Sequence, residues 1–448
     1  MVLGKEPIGQ KGENMENRPD LTSAKLSRRR LLVTASAFGA AVVASPALGA
    51  IVNTDVSKLP PYGGSTLPAG VRPRMIPNVN GLTVNILEAG TPGRPLVLLL
   101  HGFPNLAYSW RKVLPALDTA GYYAVAPDCR GYGRTLGWDD SFDTDPTPFL
   151  VMNYVRDQIA LVLALGYRKT AMIVGHDQGS SIANYSVIAR PDMFPRLTLL
   201  GSGASGLPSF PFNTANGAPA PHPAYSEADL DAAYAKLNPP RKGYQDYWAT
   251  KQADDDMKHV PQGMHNFFRA FYYMKSHDFP GNQNLKPLKP VHSAQEAAEQ
   301  NAQMPEYYVM RRDRGMPATM AAFMPSAAYI ANCKWFTEAE CEVYASEYAR
   351  TTWTGALHNY RHRNASFPPA RAEQLTYSGR TIDVPAQIIS GKQDWGANRT
   401  IGGPEKAGDS GFTQFKGVHM VDGGGHWVHE EQPELVSQYL LKFLHDTT

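Results

Sequence analysis

The stretch Met172-Ile-Val-Gly-His-Asp-Gln-Gly-Ser-Ser181 decides how the surrounding chain folds. A short β-branched run ends at Gly175 and helix-compatible residues begin after Asp177, so this Asp lies where a strand turns sharply into a helix. The central residue of such a turn has a strained backbone. The residues beside it must be small, because larger side chains would collide with the helix that follows. Gly175 and Gly179 meet that need, and a carboxylate at the tip can attack carbon. The alternative is an Asp that only caps the helix, since Asp is a favoured N-cap.

Continuous apolar runs of strand length recur on both sides of this turn, which is typical of strands buried on both faces of a parallel sheet. They are residues 95–101, 122–127, 170–174, 196–200 and 384–390, with an alternating edge-strand pattern at 82–88. Helix-length segments lie between them, notably 149–165 and 178–189. The alternation predicts an α/β fold with a doubly wound, mainly parallel sheet.

The alternation stops after the fourth of these runs and resumes near residue 384. The intervening segment is rich in Pro, Tyr, Met and Ala and has helical patches at 227–237 and 337–350, which predicts a large, mostly helical cap inserted before the last strands. The predicted organisation is an export signal (1–50), an extended lead-in (51–76), the first part of the core (77–204), the cap (205–380) and the second part of the core (381–448).

Two more reactive residues follow strands beyond the predicted cap. Asp394 comes after the run at 384–390, and His426 ends the segment 418–426. Nucleophile, acid and histidine in this order are expected of an α/β-hydrolase, and each of the three would lie at the carboxyl edge of the sheet. Asp394 has an alternative interpretation, because Asp is also common in turns that end a strand.

Four motifs together resemble the epoxide hydrolase branch of the α/β-hydrolase superfamily. They are His101-Gly-Phe-Pro104 with Ser109-Trp110-Arg111 shortly after it, Pro127-Asp-Cys-Arg-Gly-Tyr-Gly133, Gly175-His-Asp-Gln-Gly179 and Gly425-His-Trp-Val-His-Glu-Glu-Gln-Pro433. Haloalkane dehalogenases share much of this pattern. Both families commonly carry Trp directly after the nucleophile, where this chain has Gln178. Because that indole N–H helps to hold a leaving halide, its loss favours epoxide opening, with carbon–halogen hydrolysis as the alternative.

The resemblance implies a covalent mechanism. Asp177 would attack one carbon of a strained three-membered ring, and His426, oriented by Asp394, would activate the water that hydrolyses the resulting ester. The backbone N–H groups of Phe103 and Gln178 would form the oxyanion hole. An exported binding protein that has kept the fold without turnover is a further alternative, since fold alone does not prove activity.

The resemblance also assigns residues of the cap. Tyr360, within Leu357-His-Asn-Tyr-Arg361, resembles the Tyr that donates a hydrogen bond to an epoxide oxygen, and a second such Tyr is expected within 271–274. Tyr273 is preferred there, with Tyr272 open as the other choice, and Tyr272 and Trp110 are expected to line the substrate site. With 22 tyrosines in the chain, burial of the cap is the competing explanation for any one of them. His429 and Glu430 are expected to be solvated.

The composition of the chain restricts which classes of molecule the protein is expected to bind. The formal net charge is +2, but the first fifty residues hold seven basic and four acidic residues, which leaves 36 basic and 37 acidic residues in the remainder. This balance gives no electrostatic case for nucleic acid. Cys and His show no metal-ligand spacing, so no metal is expected, nor any cofactor. The expected partners are a small apolar organic substrate and water, and the sequence does not set the oligomeric state.

The N-terminal segment resembles a twin-arginine export signal. Ser27-Arg-Arg-Arg-Leu-Leu32 opens an Ala-rich apolar run, and small residues suited to cleavage follow at 45–50. The resemblance implies transient contact with the export machinery and a periplasmic or secreted protein that begins near Ala50. An uncleaved anchor is the alternative, although the run is less apolar than a membrane span.

Overall fold

An eight-stranded sheet lies at the centre of the protein, for which the computed structural model describes residues 51–201, 225–361, 367–399 and 411–447. The described strands are β1 (Arg72–Val79), β2 (Leu82–Ala89), β3 (Leu96–Leu100), β4 (Tyr123–Pro127), β5 (Met172–His176), β6 (Leu197–Leu200), β7 (Arg241–Gly243), β8 (Val309–Arg311), β9 (Ala386–Gly391) and β10 (Phe415–Val421). The central sheet has the order β1-β2-β4-β3-β5-β6-β9-β10. Strands β1 and β2 pair antiparallel with each other and β2 pairs antiparallel with β4, whereas every other pair is parallel.

Helices cover this sheet and build the cap. The described α-helices are α1 (Leu114–Thr119), α2 (Val151–Ala164), α3 (Gln178–Ala189), α4 (Glu227–Lys236), α5 (Tyr244–Trp248), α6 (Lys251–Lys258), α7 (Met264–Lys275), α8 (Ala294–Asn301), α9 (Met316–Ala321), α10 (Ala327–Asn332), α11 (Glu338–Thr351), α12 (Thr354–Arg361), α13 (Pro368–Leu375), α14 (Trp395–Asn398), α15 (Val428–Glu431) and α16 (Pro433–Asp446). Helix α2 packs on α3 and α1 packs on α16, which gives the doubly wound arrangement predicted from the sequence.

The central strands are parallel and buried because their sequences are apolar throughout. All residues of β3, β4, β5, β6 and β9 are buried. Only a sheet covered by helices on both faces removes every side chain of a strand from water, so a continuous apolar run predicts this position. The prediction of the fold class is confirmed.

The edge of the sheet differs from the prediction. Strand β2, expected at the edge, is an inner strand, and the edge strand is β1, which begins at Arg72 inside the segment expected to be an extended lead-in. Only two of the eight residues of β1 are buried. Its sequence therefore carries little apolar periodicity, and backbone pairing with β2 determines its position.

The cap lies between β6 and β9. Its described residues contain helices α4 to α13 and the small antiparallel pair of β7 and β8. This connection returns the chain to the same sheet, because β6 and β9 are neighbouring parallel strands. The segment that carries the cap therefore leaves the sheet at the carboxyl end of β6, next to β5 and the turn at Asp177, and re-enters it at the amino end of β9.

No helix in the described part of the chain is both long enough and apolar enough to cross a membrane. The expected export signal at 1–50 lies outside the described residues.

Candidate active site

The turn between β5 and α3 has the strained backbone that its sequence predicts. Asp177 has φ 51° and ψ −114°, a region that L-residues rarely adopt. A Cβ atom on Gly175 would collide with the backbone of Gly179, and a Cβ atom on Gly179 would collide with the carbonyl oxygen of Leu100. Both glycines are therefore required by close backbone contacts rather than by their own torsion angles.

The Asp177 side chain does not cap helix α3. Its Oδ1 instead accepts a hydrogen bond from the backbone N–H of Phe103, with an N···O distance of 3.0 Å. The loop after β3 can come this close because a side chain on Gly102 would collide with Asp177. One carboxylate oxygen is thus held by a backbone donor, and the other, Oδ2, points toward a histidine.

That histidine is His426. Its Nε2 lies 3.7 Å from Asp177 Oδ2, and its Nδ1 lies 3.1 Å and 3.2 Å from the two oxygens of Asp394. Asp394 is fully buried, and Oδ1 also accepts a hydrogen bond from Gly396 N at 2.6 Å. The structure therefore brings together the three residues that the sequence places after separate strands, and Asp394 does more than terminate a strand.

Charges around Asp177 favour its ionised form. Burial raises its pKa, but His426, Lys275 and the Phe103 N–H together hold the pKa of Asp177 well below its usual range. Lys275, at the end of α7, also accepts a hydrogen bond on its carbonyl oxygen from His426 N at 2.9 Å. The carboxylate is therefore a negative charge at neutral pH, which is the form that attacks carbon.

Phe103 and Gln178 are the two residues whose backbone N–H groups are predicted to form the oxyanion hole, and the structure shows different kinds of contact for them. The backbone N–H of Phe103 donates a hydrogen bond to Asp177 Oδ1, as an oxyanion-hole role requires. The side-chain oxygen of Gln178 accepts a hydrogen bond from Tyr132 Oη at 2.7 Å, and Gln178 is buried. The role of the Gln178 backbone N–H stays a prediction.

Tyr360 lies beside the loop that holds Asp177. Its ring is 7% exposed and packs edge-on against Phe103, with 4.9 Å between ring centroids. The neighbouring cap phenol is Tyr244, at the start of α5, whose ring centroid is 6.3 Å from that of Tyr360. Tyr360 thus contacts the Phe103 loop directly, and Tyr244 is the tyrosine beside Tyr360.

Two sequence assignments are corrected by burial, those of Tyr272 and Trp110. Tyr272 is fully buried between Phe336 and Trp427, at centroid distances of 4.2 Å and 4.3 Å, and its hydroxyl accepts a hydrogen bond from Asn105. Trp110 is also fully buried and packs on His429 at 4.4 Å. Neither ring has a surface left for a substrate.

Tyr273 lies on the other side of α7. Its ring packs against Phe279 and Tyr329 at 5.6 Å and 4.6 Å, within the cap. Burial raises its pKa, with Asp278 as the charged neighbour. Its ring contacts are thus with Phe279 and Tyr329 of the cap rather than with Phe103, which argues against the expectation that Tyr273 is the second donor.

His429 and Glu430 were expected to be solvated, yet both are fully buried. Glu430 Oε2 pairs with Arg111 Nη1 at 2.7 Å, and Arg111 Nη2 pairs with Glu340 of the cap at 2.6 Å. Tyr344 Oη donates to Glu430 Oε1 at 3.1 Å. We call Arg111, Glu340, Glu430 and Tyr344 the Arg111 cluster. Sequence reasoning missed it because its members lie far apart in the chain.

Sequence reasoning also missed Tyr244, Lys275 and Arg399. Arg399 follows α14 and its Nη1 lies 3.3 Å from Tyr244 Oη. Neither spacing nor periodicity distinguishes these residues, but Arg399 stands only five residues after Asp394, so its proximity to the site was a usable signal. We call Lys275 and Arg399 the cation pair.

No group of three or more His, Cys, Asp or Glu side chains suited to a metal ion occurs among the residues that the structure describes. The arrangement of Asp177, His426 and Asp394 is suited to nucleophilic catalysis, in which a carboxylate attacks and a histidine oriented by a second carboxylate acts as the base.

Comparisons with known proteins agree with this geometry. The family described as alpha/beta hydrolase fold matches residues 95–433. The chain is 28% identical over 390 residues to epoxide hydrolase B of Mycobacterium tuberculosis, which covers 82% of this chain and 96% of the relative. It is 27% identical over 381 residues to epoxide hydrolase 3 of Siraitia grosvenorii, covering 82% of this chain and 96% of the relative.

Solved structures give the same result. An epoxide hydrolase from an endophytic Streptomyces superposes with a TM-score of 0.61 at 26% identity, covering 84% of this chain and 96% of that chain. A laboratory-evolved variant of potato epoxide hydrolase gives a TM-score of 0.62 at 25% identity, covering 84% and 99%. The family match spans most of the sequence, including all three residues of the triad, and the chain therefore belongs to the alpha/beta hydrolase fold family.

Proposed function

We propose that this protein is an epoxide hydrolase that opens its substrate to a vicinal diol through a covalent ester on Asp177. The observation that carries the proposal is the position of the Asp177 carboxylate, with Oδ1 held 3.0 Å from Phe103 N and Oδ2 directed at His426. The relatives named epoxide hydrolases support the choice of an epoxide.

In the first step, Asp177 Oδ2 attacks one carbon of the epoxide ring. The ring C–O bond breaks and its electron pair goes to the ring oxygen, which takes a proton from a phenol. Tyr360, whose ring packs on Phe103, and its neighbour Tyr244 are the phenols proposed for this step. A donor aimed at oxygen as its charge develops lowers the barrier, and a phenol can give this help without protonating the nucleophile.

In the second step, water cleaves the ester. His426 Nε2 removes a proton from water, and the oxygen of that water attacks the carbonyl carbon of Asp177. Charge develops on Oδ1, which already receives the Phe103 N–H. Asp394 stabilises the imidazolium from the other side of the ring. Collapse of the intermediate breaks the bond between the Asp177 carboxyl carbon and Oδ2 and releases the diol, whose new hydroxyl oxygen takes the proton of the re-formed Asp177 carboxyl group. The proton on His426 returns to the phenolate through solvent.

The route of oxygen tests this mechanism. A single turnover in ¹⁸O-water, with enzyme in excess over epoxide, is expected to place ¹⁸O in the Asp177 carboxylate and to leave the diol largely unlabelled. Asp177→Ala is less informative here, because an Asp that only positions water would also lose activity. Mass spectrometry of the peptide that contains Asp177 provides the measurement.

A second variant traps the intermediate. His426→Gln retains the nucleophile and loses the base, so an ester on Asp177 is expected to accumulate. First-turnover diol fully labelled from solvent, with no adduct in the His426 variant, would falsify the proposal. An adduct formed from haloalkanes but from no epoxide would select carbon–halogen hydrolysis instead.

We also propose that the protein is exported through the segment at 27–32. The twin-arginine pattern and its small-residue tail support this proposal. Replacing Arg28 and Arg29 by Lys is expected to leave precursor in the cytoplasm, measured by fractionation. Equal export of the variant and the wild type would remove the assignment.

A further inference from the structure

The loop that carries His426 is bonded to the cap as well as to the core. The His426 backbone N–H donates to the carbonyl oxygen of Lys275, at the end of α7, at 2.9 Å. The carbonyl oxygen of His426 accepts a hydrogen bond from His176 Nε2 at 2.8 Å, and its ring is bonded to Asp394. The backbone of the base is therefore held from two sides, by the cap at its N–H and by the strand of the nucleophile at its carbonyl.

Glu431, the last residue of α15, connects the same two parts of the molecule through its side chain. Its Oε2 accepts hydrogen bonds from the backbone N–H groups of Gly425 at 3.0 Å and of His277, in the cap, at 2.7 Å. Its Oε1 accepts a hydrogen bond from the backbone N–H of Trp427 at 3.0 Å. One carboxyl group thus binds the residues on both sides of His426 and a residue just beyond α7.

The backbone of the His426 loop is also in direct contact with the end of α7. A Cβ atom on Gly425 would lie 2.4 Å from the backbone nitrogen of His277 and 2.5 Å from the carbonyl carbon of Ser276, so no side chain fits there. Trp427 Nε1 donates to the carbonyl oxygen of Tyr272, in α7, at 2.9 Å. The loop and the end of α7 therefore pack as one unit, and a displacement of α7 would displace the base.

Glu431 can accept these hydrogen bonds in either protonation state. It is partly buried, and burial, with the nearby Asp278, raises its pKa to about 8, while the backbone N–H groups that it binds oppose that shift. A protonated carboxyl group keeps acceptor capacity beside its one O–H donor. The contacts of Glu431 therefore do not require it to be charged at neutral pH.

The two steps of the proposed reaction place different demands on His426. Asp177 attacks the epoxide as a carboxylate, and no proton has to pass to His426 in that step. Ester hydrolysis requires His426 Nε2 within hydrogen-bond reach of the attacking water, because it removes a proton from that water. A misplacement of about 1 Å can reduce a rate by about 100-fold. Loss of the contacts that hold the His426 loop is therefore expected to slow the second step selectively.

We propose that Glu431 is a positioning residue that fixes the His426 loop to the end of α7, so that hydrolysis of the ester depends on the docking of this cap helix on the core. The inference rests on the proposed function, since it assumes an ester on Asp177. It deepens that function, because the cap then supplies the phenols for ring opening and also holds the base for the second step.

Rapid-quench kinetics, with mass spectrometry of the peptide that contains Asp177, measure ester formation and ester hydrolysis separately. Glu431→Met removes the acceptor of three backbone N–H groups and is expected to slow hydrolysis by roughly 10- to 100-fold, while ester formation keeps the wild-type rate. Glu431→Gln retains one side-chain oxygen, so its hydrolysis rate is expected to lie between those of the wild type and Glu431→Met. Equal slowing of both steps, slowing of ester formation alone, or no change would each overturn the positioning role.

Two further variants provide a matched control and a test from the cap side, and thermal melting checks that each variant is folded. Glu434→Met removes an exposed carboxylate in the first turn of α16 and is expected to change neither step. His277→Pro removes the N–H that the cap contributes, and Ser276 before it already has the extended backbone, φ −82° and ψ 169°, that a residue before proline adopts. Ester hydrolysis is expected to slow in His277→Pro as well, and a wild-type rate would overturn the dependence on the cap.

Hydrogen–deuterium exchange separates failure of this inference from failure of the proposed function, because it needs no substrate. In Glu431→Met, amide exchange is expected to become faster in the peptide that contains His426 and in the peptide that contains His277, relative to the wild type and to Glu434→Met. If both peptides exchange faster but no epoxide forms an ester, the link between loop and cap stands and the proposed function fails alone. If the wild type turns over epoxides through the ester and exchange is unchanged in either peptide, the positioning role fails alone.

Discussion

The Arg111 cluster and the cation pair both hold cations where the cap meets the core, yet they are built differently. Arg111 contacts two carboxylates at 2.6 Å and 2.7 Å and stacks on the ring of Tyr108 at 4.1 Å. Lys275 and Arg399 contact aromatic rings and a phenol, with no carboxylate at ion-pair distance among the described residues. A buried charge that the protein neutralises itself joins parts of the fold, whereas the charge of Lys275 helps to lower the pKa of Asp177.

This difference predicts a separation between activity and stability. Changes near Asp177 are expected to affect turnover and leave the folded state intact. Changes in the Arg111 cluster are expected to do the reverse, because Glu340 is in the cap and Glu430 is in the core. The following experiments are ordered by the size of the expected effect.

Asp177→Ala tests the active-site side of this separation. Removing a nucleophile costs roughly 10⁴-fold in kcat or more. The free energy of unfolding, from urea titration, is expected to stay within about 1 kcal/mol of the wild type, as for sites outside the packed core. A large loss of stability would mean that Asp177 also joins core and cap.

Arg111→Met tests the structural side. Removing Arg111 leaves the buried carboxylate of Glu430 without this ion-pair partner, whereas Glu340 still has Lys112 at 3.1 Å, so a loss of about 3–5 kcal/mol in the free energy of unfolding is expected. Arg94→Met is the control, because Arg94 and Asp118 form an exposed pair for which a loss of about 0–1 kcal/mol is expected. Equal losses in the two variants would contradict the structural role of the cluster.

Substitutions of Tyr360 and Tyr244 test whether ring opening depends on these two tyrosines of the cap. Tyr360→Phe and Tyr244→Phe are each expected to slow ring opening by roughly 100- to 1000-fold, the cost of losing a donor to a developing oxyanion. Single-turnover kinetics of ester formation on an epoxide measure this step. Tyr273→Phe is the matched control and is expected to retain the wild-type rate, since its ring contacts other cap residues.

The dependence of the free energy of unfolding on pH tests whether the buried histidines have lowered pKa values in the folded state. His176 packs on His426 at 5.0 Å and on His429 at 4.4 Å, and burial lowers the pKa of His176 to about 3. The unfolded state then binds more protons below pH 6.5, so the free energy of unfolding falls as the pH drops from about 6.5 to 4.5. Each such histidine contributes about 1.4 kcal/mol per pH unit.

Urea titrations at several pH values measure this slope. His176→Gln removes one titrating group and is expected to show a shallower fall than the wild type over the same range. An unchanged slope would mean that His176 is protonated in the folded state.

Local patterns were enough to predict the central strands and the three residues of the triad, although not the edge strand β1. Continuous apolar runs indicate buried parallel strands, and a residue that directly follows such a strand lies at its carboxyl edge whatever the cap does. Asp177, Asp394 and His426 could therefore be assigned without knowing any distance. The glycines around Asp177 were predictable for the same reason, because the crowding that requires them is local.

The cap could not be predicted in the same way. Tyr272 and Tyr273 are neighbours on α7, and their positions on the helix decide that one ring stacks on Trp427 while the other packs on Tyr329. Tyr244 reaches Tyr360 across more than a hundred residues of sequence. Contacts of this kind depend on how the cap helices pack, and 22 tyrosines leave too many choices for a local pattern.

The backbone of Asp177 has a consequence for how this protein can evolve. A non-glycine residue held at φ 51° and ψ −114° costs on the order of 1–3 kcal/mol, and Gly would relieve most of that cost. Selection for thermal stability alone would therefore favour Asp177→Gly and eliminate catalysis in one substitution. Asp177 is retained although it lowers the stability of the folded protein. Variants selected from a library only for folding are therefore expected to replace Asp177 early.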